Sequence, residues 1–545
     1  MATTVIVGGV AGGMSTAARL RRNDENREII VFEASGYVSF ANCGLPYHVG
    51  GVIPERSSLL LQTPESLGAR FRIDVRTRHL VTEIDTVNNT VTVENLESGE
   101  TFTQAYDELV LSPGARPFVP PIPGIERALT LRTVEDVDRI IAALDDSVKN
   151  VALIGGGFIG LELAENLIHR GLGVTVIERG PQILAPFDEE MAAIVAGHLE
   201  KNKVVIHTNA DTTEIGEDSL TLADGTVIPA DVVIAAIGVR PDTRLAEAAG
   251  LEIGPRGGIK VDEQQRTSVP NVFALGDAAE KTDINSGAAA LIPLAQTANR
   301  HGRLVADIIT GRDTKALPVL GTAIVGLFGL AASATGWNER NARRAGRNVR
   351  VIHIHPVNHA GYYPGATQLN LKLVIDADTD AILGAQAVGF EGADKRIDVI
   401  ATAMRGGLTA SDLADLELAY SPQYGSAKDP INLAGMVADN LAQGEKSVQW
   451  HELSDDMQLI DVRTVGEYER GHIPGAVNIP VDDLRENLDK IDASRPVVVS
   501  CQVGLRGHVA TRILSGLGMD VANLDGGYLT YTHGQAARKF AHADQ

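Results

Sequence analysis

A chain of 545 residues is too long for one core, and at roughly 150 residues per domain it predicts three to four. Hydrophobic residues at 44% and charged residues at 22% exclude a disordered or fibrous protein. The 48 Lys+Arg against 70 Asp+Glu, a formal charge of -22, exclude a general nucleic-acid or anionic-membrane partner.

In chain order, the opening MATTVIVGG lacks the charged-then-apolar layout of a signal peptide. The first predicted element is a short apolar strand, Thr4 to Val7, followed by GGVAGG, the helix-like MSTAARLRR and a strand from Glu28 to Phe32 that ends at Glu33. Strand, glycine turn, helix and strand with a terminal acid is the dinucleotide-binding βαβ layout. Between Leu80 and Val110, runs such as TVTVENL and TFTQAYDELVLSPGA predict an antiparallel insertion before Gly114. The βαβ layout then recurs as VALIG (Val151 to Gly155), GGFIG, the helix LELAENLIHRG, the strand VTVIE and the acid Glu178. Two such units in register predict two dinucleotides. Segment 199–244 repeats the antiparallel insertion, and TSVPNVFALGDAAE carries a short strand ending at Gly276-Asp277.

Ala323 to Ala334, the longest apolar stretch, is too short and glycine-broken to span a bilayer. RVIHIHP and LNLKLVID predict strands leading into helix-like 393–407. Residues 441–455 are polar and predict a linker, and a compact module of ordinary domain size follows. The only cysteines, Cys43 and Cys501, exclude a disulfide framework or a four-cysteine metal site within one chain, so no metal is expected. Two isolated thiols suit a reducing compartment, and the expected location is cytoplasmic.

Glycines in such loops let backbone approach a pyrophosphate, whose charge the amides of the following helix bind. Gly155, Gly157 and Gly160 fill all three glycine positions of the second loop. Glu178 would accept hydrogen bonds from an adenosine ribose and so favours NADH, while Arg179 beside it is able to receive NADPH. In the first loop Val10 takes the middle glycine position. With the downstream Gly276-Asp277, where a carboxylate binds a ribityl chain, the chain resembles the flavin-dependent pyridine nucleotide-disulfide oxidoreductases. That resemblance assigns FAD to Gly8, Gly12, Gly13, Glu33, Gly114 and Asp277, and NAD(P)H to Gly155, Gly157, Gly160 and Glu178.

Members of that family that reduce ordinary dithiols use two cysteines four residues apart, whereas YVSFANCGLPY supplies Cys43 alone. A single thiol works through a mixed disulfide, a persulfide or a sulfenate. The motif resembles the branch of NADH oxidases, NADH peroxidases and coenzyme A-disulfide reductases. Oxidases and peroxidases carry a His in the first glycine loop, where Ala11 stands here. The coenzyme A-disulfide reductases use two tyrosines of the dimerisation domain, and HAGYYPGA with ELAYSPQYGSAKD nominates Tyr362 and Tyr420, leaving Tyr363 and Tyr424 as alternatives. A phenol donates a proton or hydrogen bond to a leaving thiolate.

Ser15, Arg19 and Arg22 fall at i, i+4 and i+7 of the first helix and share one face, so the two arginines offer a phosphate clamp in an otherwise acidic chain. The resemblance places coenzyme A there and adds Ser39, Asn42 and Lys428, while Phe71 stands where some members have a basic contact. At the C-terminus, LIDVRTVGEYERGHIPGAVNIP, VVVSCQVGLRG and NLDGGY resemble a rhodanese domain. Its loop from Cys501 to Arg506 would wrap the sulfur with backbone amides, and that geometry, at a helix N-terminus and beside the catalytic candidate Arg506, would lower the Cys501 thiol pKa and stabilise a bound persulfide anion. Asp461, Arg463 and HIPGA read as structural supports.

The expected fold is α/β: two Rossmann-like dinucleotide-binding domains, an α+β dimerisation domain and a C-terminal α/β rhodanese domain. The expected boundaries are 1–115 and 245–320 for the FAD domain, 116–244 for the NAD(P)H domain, 321–440 for dimerisation, 441–455 for the linker and 456–545 for the rhodanese. The whole resembles the coenzyme A-disulfide reductase/rhodanese fusions, persulfide or polysulfide reductases. Such a homodimer uses FAD, NADH or NADPH, and coenzyme A as bound cofactor or substrate, and acts on small sulfane-sulfur or coenzyme A thiol substrates. The competing expectations are an NADH oxidase or peroxidase with a passenger rhodanese, and a flavin-based redox sensor whose rhodanese binds a partner.

Overall fold

The computed structural model describes residues 2–542. The chain divides into two compact units, Met1–Ile177 with Asp211–Gly321, and Glu178–Ala210 with Thr322–Gln545.

The first unit opens with strand β1 (Thr3–Val7), helix α1 (Ala11–Asn23) and strand β2 (Glu28–Glu33). Strands β3 (Asp74–Thr77) and β4 (Glu108–Leu111) follow. The second glycine loop lies in β5 (Asn150–Ile154), α2 (Phe158–His169) and β6 (Gly173–Ile177), and β7 (Val232–Ala235) pairs with β5. Strand β8 (Val272–Ala274) returns to the first sheet, which runs β8-β4-β1-β2-β3, all parallel. Both faces of a parallel sheet are covered, which is why Val5, Ile6 and Ile29 to Phe32 are all buried and read as continuous apolar runs. Helix α3 (Ala295–Ile309) lies close along α1 because Gly302 stands against the carbonyl of Gly12, where a Cβ would collide. The expected insertions are present as two antiparallel three-stranded sheets, His79–Asp85 with Thr90–Asn95 and Thr101–Ala105, and Thr212–Ile215 with Ser219–Leu222 and Val227–Pro229.

In the second unit, β9 (Ala323–Leu327), β10 (Leu330–Gly336), β11 (Val349–Ile354), β12 (Leu369–Asp376) and β13 (Ile382–Gly389) form an antiparallel sheet in the order β9-β10-β13-β12-β11. The apolar stretch Ala323 to Ala334 is thus a hairpin. Its two-residue turn, Phe328-Gly329, has φ of 49° and 80°, the double positive φ that a tight hairpin of this twist requires. Helices α4 (Ala393–Gly406) and α5 (Pro430–Ala442) complete this region. All eight residues of β12 are buried, including Lys372. Its Nζ lies 2.6 Å from Glu190, 2.7 Å from Glu339 and 3.0 Å from Asp188, so the charge is matched inside the core.

The C-terminal module is a parallel sheet of β14 (Ser447–Val448), β15 (Gln458–Asp461), β16 (Val477–Asn478), β17 (Val497–Ser500) and β18 (Val521–Leu524), ordered β14-β18-β17-β15-β16. Helices α6 (Leu505–Gly516) and α7 (Gly527–His542) flank it. The stretch expected as a linker, 441–455, is folded into this sheet: Val448 pairs with Leu524, and Trp450 is buried against Gly534 of α7. Gln449 adds hydrogen bonds to the Val351 carbonyl and Asp525, and Leu453 packs with Val448 in the same apolar cluster. No helix among the described residues is long and apolar enough to cross a membrane, and no group of three His, Cys, Asp or Glu among them is arranged to hold a metal.

Candidate functional site

The turn after β1 shows why its glycines are required. Gly8 has φ +100°, its N–H donates to the Phe32 carbonyl at 2.9 Å, and a Cβ there would run into the carbonyl of Ser112. A Cβ on Gly13 would strike the carbonyl of Gly8, and one on Gly12 would strike Leu275 and the Ser112 hydroxyl. The loops at the carboxyl ends of β1, β4 and β8 therefore converge on Ser112, where an open parallel sheet binds its ligand. Glu33, at the end of β2, accepts the Gly9 N–H at 2.7 Å and the Ser35 N–H at 2.8 Å. Burial raises its carboxyl above the ordinary range against the pull of those two bonds. Asp277 follows β8 in a tight turn. Burial pushes it up as well, while Lys281 and Arg132 pull it down. Lys281, itself buried and lowered to about 8 by desolvation, donates to the carbonyls of Gly276 at 2.5 Å and Ala279 at 3.0 Å and so holds that turn. Gly114, at φ 75°, accepts the Asp242 N–H at 3.0 Å.

The second loop repeats this geometry. Gly155 has φ +114°, and a Cβ on Gly160 would strike the Gly155 carbonyl, the same relation as Gly13 to Gly8. Gly157 caps α2, and a Cβ there would meet nothing within 4 Å. The chain's own packing does not require this glycine, whereas close approach of a pyrophosphate does. In the second unit, Glu178 accepts the N–H of Gly180 at 2.7 Å. Both glycine loops fit a dinucleotide.

Cys43 lies in the exposed turn Asn42–Gly44. Desolvation raises its thiol, and the charges of Glu162 and Asp277 raise it further. Tyr47 donates to Glu162 at 3.3 Å and is pushed up to about 12 by desolvation and that carboxylate. Of the residues nominated for coenzyme A, Ser15 donates to Asn299 at 2.8 Å, and Arg19 Nε is held by Asp307 at 2.8 Å. Arg22 is exposed. Ser39, at φ 48°, donates its N–H to the Gly9 carbonyl, and Asn42 donates to the Arg132 carbonyl at 3.2 Å. Arg21, between the two nominated arginines, is buried and binds the carbonyls of Phe71, Arg72, Asp24 and Glu25, a purely structural role.

In the second unit the tyrosines differ in their partners. The phenol oxygens of Tyr362 and Tyr420 are 3.0 Å apart and exposed, whereas Tyr363 is engaged by Gln423 at 3.0 Å. Tyr424 is exposed, as is Lys428.

Cys501 follows β17, is buried, and its Sγ accepts the Gly504 N–H at 3.2 Å. The loop rests on the first residues of α7: Tyr528 N–H donates to the Cys501 carbonyl at 2.7 Å, and a Cβ on Gly527 would collide with that carbonyl. Arg463 binds Asp461, the Gly471 carbonyl and Gln502 Oε1, the expected supporting role. Arg506 is bound at both terminal nitrogens by Glu467, at 2.8 and 2.6 Å.

Sequence reasoning missed Glu162, Tyr47, Lys281 and Glu467. Glu162 is two residues past Gly160 on α2, and Glu467 stands inside the quoted GEYERGHIPGA motif, so position relative to a motif was the available signal for both. Nothing in the sequence flagged Lys281.

Residues 2–302 match the pyridine nucleotide-disulphide oxidoreductase family, 322–429 match its dimerisation domain, and 447–533 match the rhodanese-like domain. A coenzyme A disulfide reductase of Staphylococcus aureus (strain JH9) is 37% identical over 442 residues, covering 80% of this chain and 100% of that protein. Among solved structures, reduced Bacillus anthracis CoADR-RHD has a TM-score of 0.96 at 46% identity, covering 97% of this chain and 98% of that one. A NAD-dependent persulfide reductase from A. fulgidus has a TM-score of 0.92 at 38% identity, covering 97% of this chain and 100% of that one.

Proposed function

Since the chain belongs to the pyridine nucleotide-disulphide oxidoreductase family, we propose that it is an NAD(P)H-dependent reductase of coenzyme A persulfide, polysulfide or coenzyme A disulfide, coupled to sulfur transfer at its rhodanese domain. The observation that carries this reading is that the chain's two thiols lie in two separately built loops, Cys43 on the unit with the FAD-type glycine turn and Cys501 in the rhodanese loop.

Gly8, Gly12, Gly13, Glu33, Gly114 and Asp277 would hold FAD, and Gly155, Gly157, Gly160 and Glu178 the nicotinamide dinucleotide. Bound there, the flavin supplies the electron pair that originates on NAD(P)H. The Cys43 thiolate attacks the outer sulfur of the persulfide R–S–SH, breaking the S–S bond, forming Cys43–S–SH and releasing R–S⁻. Two electrons and a proton then restore the Cys43 thiolate and release hydrogen sulfide. Tyr362 and Tyr420, supplied by the partner subunit of a homodimer, donate hydrogen bonds or a proton to the departing sulfur. Ser15, Arg19, Arg22, Ser39, Asn42 and Lys428 hold the coenzyme A moiety. Cys501 loads sulfane sulfur and passes it to a coenzyme A thiol, with Arg506 at the end of its loop.

The deciding experiment separates the two activities. Cys43→Ser should abolish NADH-linked sulfur reduction and leave sulfur transfer intact, and Cys501→Ser should do the reverse. Loss of both activities in either folded variant would overturn the division.

A further inference from the structure

The loop that wraps Cys501 carries one cation, and that cation is spoken for. Arg506 gives both terminal nitrogens to Glu467, and this hydrogen-bonded pairing pushes the Glu467 carboxyl down to about 2, so the pair stays ionised across the working pH range. The neighbouring Arg463 is paired in the same way with Asp461, and His508 Nδ1 is engaged by Glu445 at 2.8 Å. The next cation along α6, Arg512, stands six residues beyond Arg506, roughly 9 Å further along the helix axis. The remaining side chains of the loop, Gln502, Val503 and Leu505, are uncharged, and Leu505 is 70% exposed.

A sulfur donor must bring its sulfane sulfur to this loop together with the group that will leave. Thiosulfate brings a sulfite that departs as a dianion, and a site for it gains most from a free cation. A thiol persulfide brings a methylene next to the inner sulfur and releases a single thiolate, which the backbone amides of the loop and the exposed Leu505 suit. From this geometry we propose that Glu467 is a specificity residue: by neutralising Arg506 it makes the Cys501 site select persulfides carried on organic thiols and discriminate against thiosulfate. The step conserves electrons. The Cys501 thiolate attacks the outer sulfur of R–S–SH, the S–S bond breaks, Cys501–S–SH forms and R–S⁻ leaves.

This deepens the proposed function and rests on Cys501 being the sulfur carrier. The test uses the full-length protein with cyanide as acceptor, thiocyanate as readout, and thiosulfate, glutathione persulfide and coenzyme A persulfide as separate donors, each corrected for the uncatalysed reaction. In the wild type, kcat/KM for the better persulfide should exceed that for thiosulfate at least tenfold, and the better of the two identifies the carrier. Glu467→Gln, which frees Arg506, should shift the ratio toward thiosulfate by about fivefold or more. Leu505→Lys, an exposed change that leaves the ion pair alone, should shift it the same way. Thiosulfate matching the persulfides in the wild type, or a ratio unmoved in both variants, overturns the proposal. Undiminished transfer by Cys501→Ser would instead overturn the reading beneath it.

Discussion

Tyr362 and Tyr420, 58 residues apart in the chain, meet with their phenol oxygens 3.0 Å apart on an exposed surface. Donated by the Tyr362 hydroxyl to the Tyr420 oxygen, that hydrogen bond holds the Tyr362 proton more tightly than in a free phenol. Tyr362 therefore keeps its proton across the neutral range and can supply it to a departing thiolate. Either Tyr362→Phe or Tyr420→Phe should lower kcat for NADH-linked persulfide reduction by roughly 10²-fold, with thiocyanate formation at Cys501 unchanged. Tyr363→Phe, whose hydroxyl serves Gln423, should behave as the wild type. Equal losses in all three variants would show that no one pair acts as the donor.

Cys43 also has a proton that its surroundings favour, although the thiolate is the form that attacks sulfur. Desolvation is the main cause, and Glu162 and Asp277 add repulsion against a thiolate. Removing one of those charges with Glu162→Gln should make the thiolate easier to form. The pH midpoint for alkylation of Cys43 by iodoacetamide, followed by peptide mass spectrometry, should move to lower pH in that variant. A midpoint that stays put or rises would mean that the Glu162 charge does not reach the sulfur.

The features legible in the sequence were those in which a few consecutive residues dictate their own backbone. Gly13 against the Gly8 carbonyl and Gly160 against the Gly155 carbonyl are required by a local turn, so a spacing pattern found them. The face shared by Ser15, Arg19 and Arg22 was legible because α1 is regular, but the carboxylate on Arg19 was not, since Asp307 arrives on another helix 288 residues later. The same limit hid Glu467, 39 residues from Arg506. Lys372 is the sharpest case. In LNLKLVID it alternates with apolar residues as a solvent-facing lysine would, yet it is buried because Asp188, Glu190 and Glu339 surround it from distant segments. Alternation reports which side a residue faces, and long-range charge pairing decides what that side contains.

The turn beneath Cys501 is tied to a buried ionic network that should fail at alkaline pH. His353 on β11 places Nδ1 2.6 Å from Asp525 and Nε2 3.0 Å from Glu190, which is itself bound to Lys372. Burial alone would push the imidazole down, but Asp525 and Glu190 outweigh it and raise its pKa from 6.5 to about 9. The nearby His355 and His533 are lowered to about 3 and about 4, chiefly by burial, and stay neutral through the same range. Lys372, surrounded by three carboxylates, is held well above its usual value and keeps its charge. A group whose pKa is higher in the folded than in the unfolded state contributes stability that is complete below the unfolded value and lost as pH rises through the folded one. The window here is pH 6.5 to 9. The wild-type melting temperature should therefore fall between pH 6.5 and 9.5, by on the order of 5 °C from this group. His353→Gln should melt lower than the wild type at pH 6.5 but lose less over the same interval, because the titrating group is gone. Asp525 stands two residues before Gly527, against which the Cys501 carbonyl packs, so Asp525→Asn should also reduce sulfur transfer while sparing NADH-linked reduction at Cys43. An identical alkaline drop in wild type and His353→Gln would assign the pH dependence to other groups.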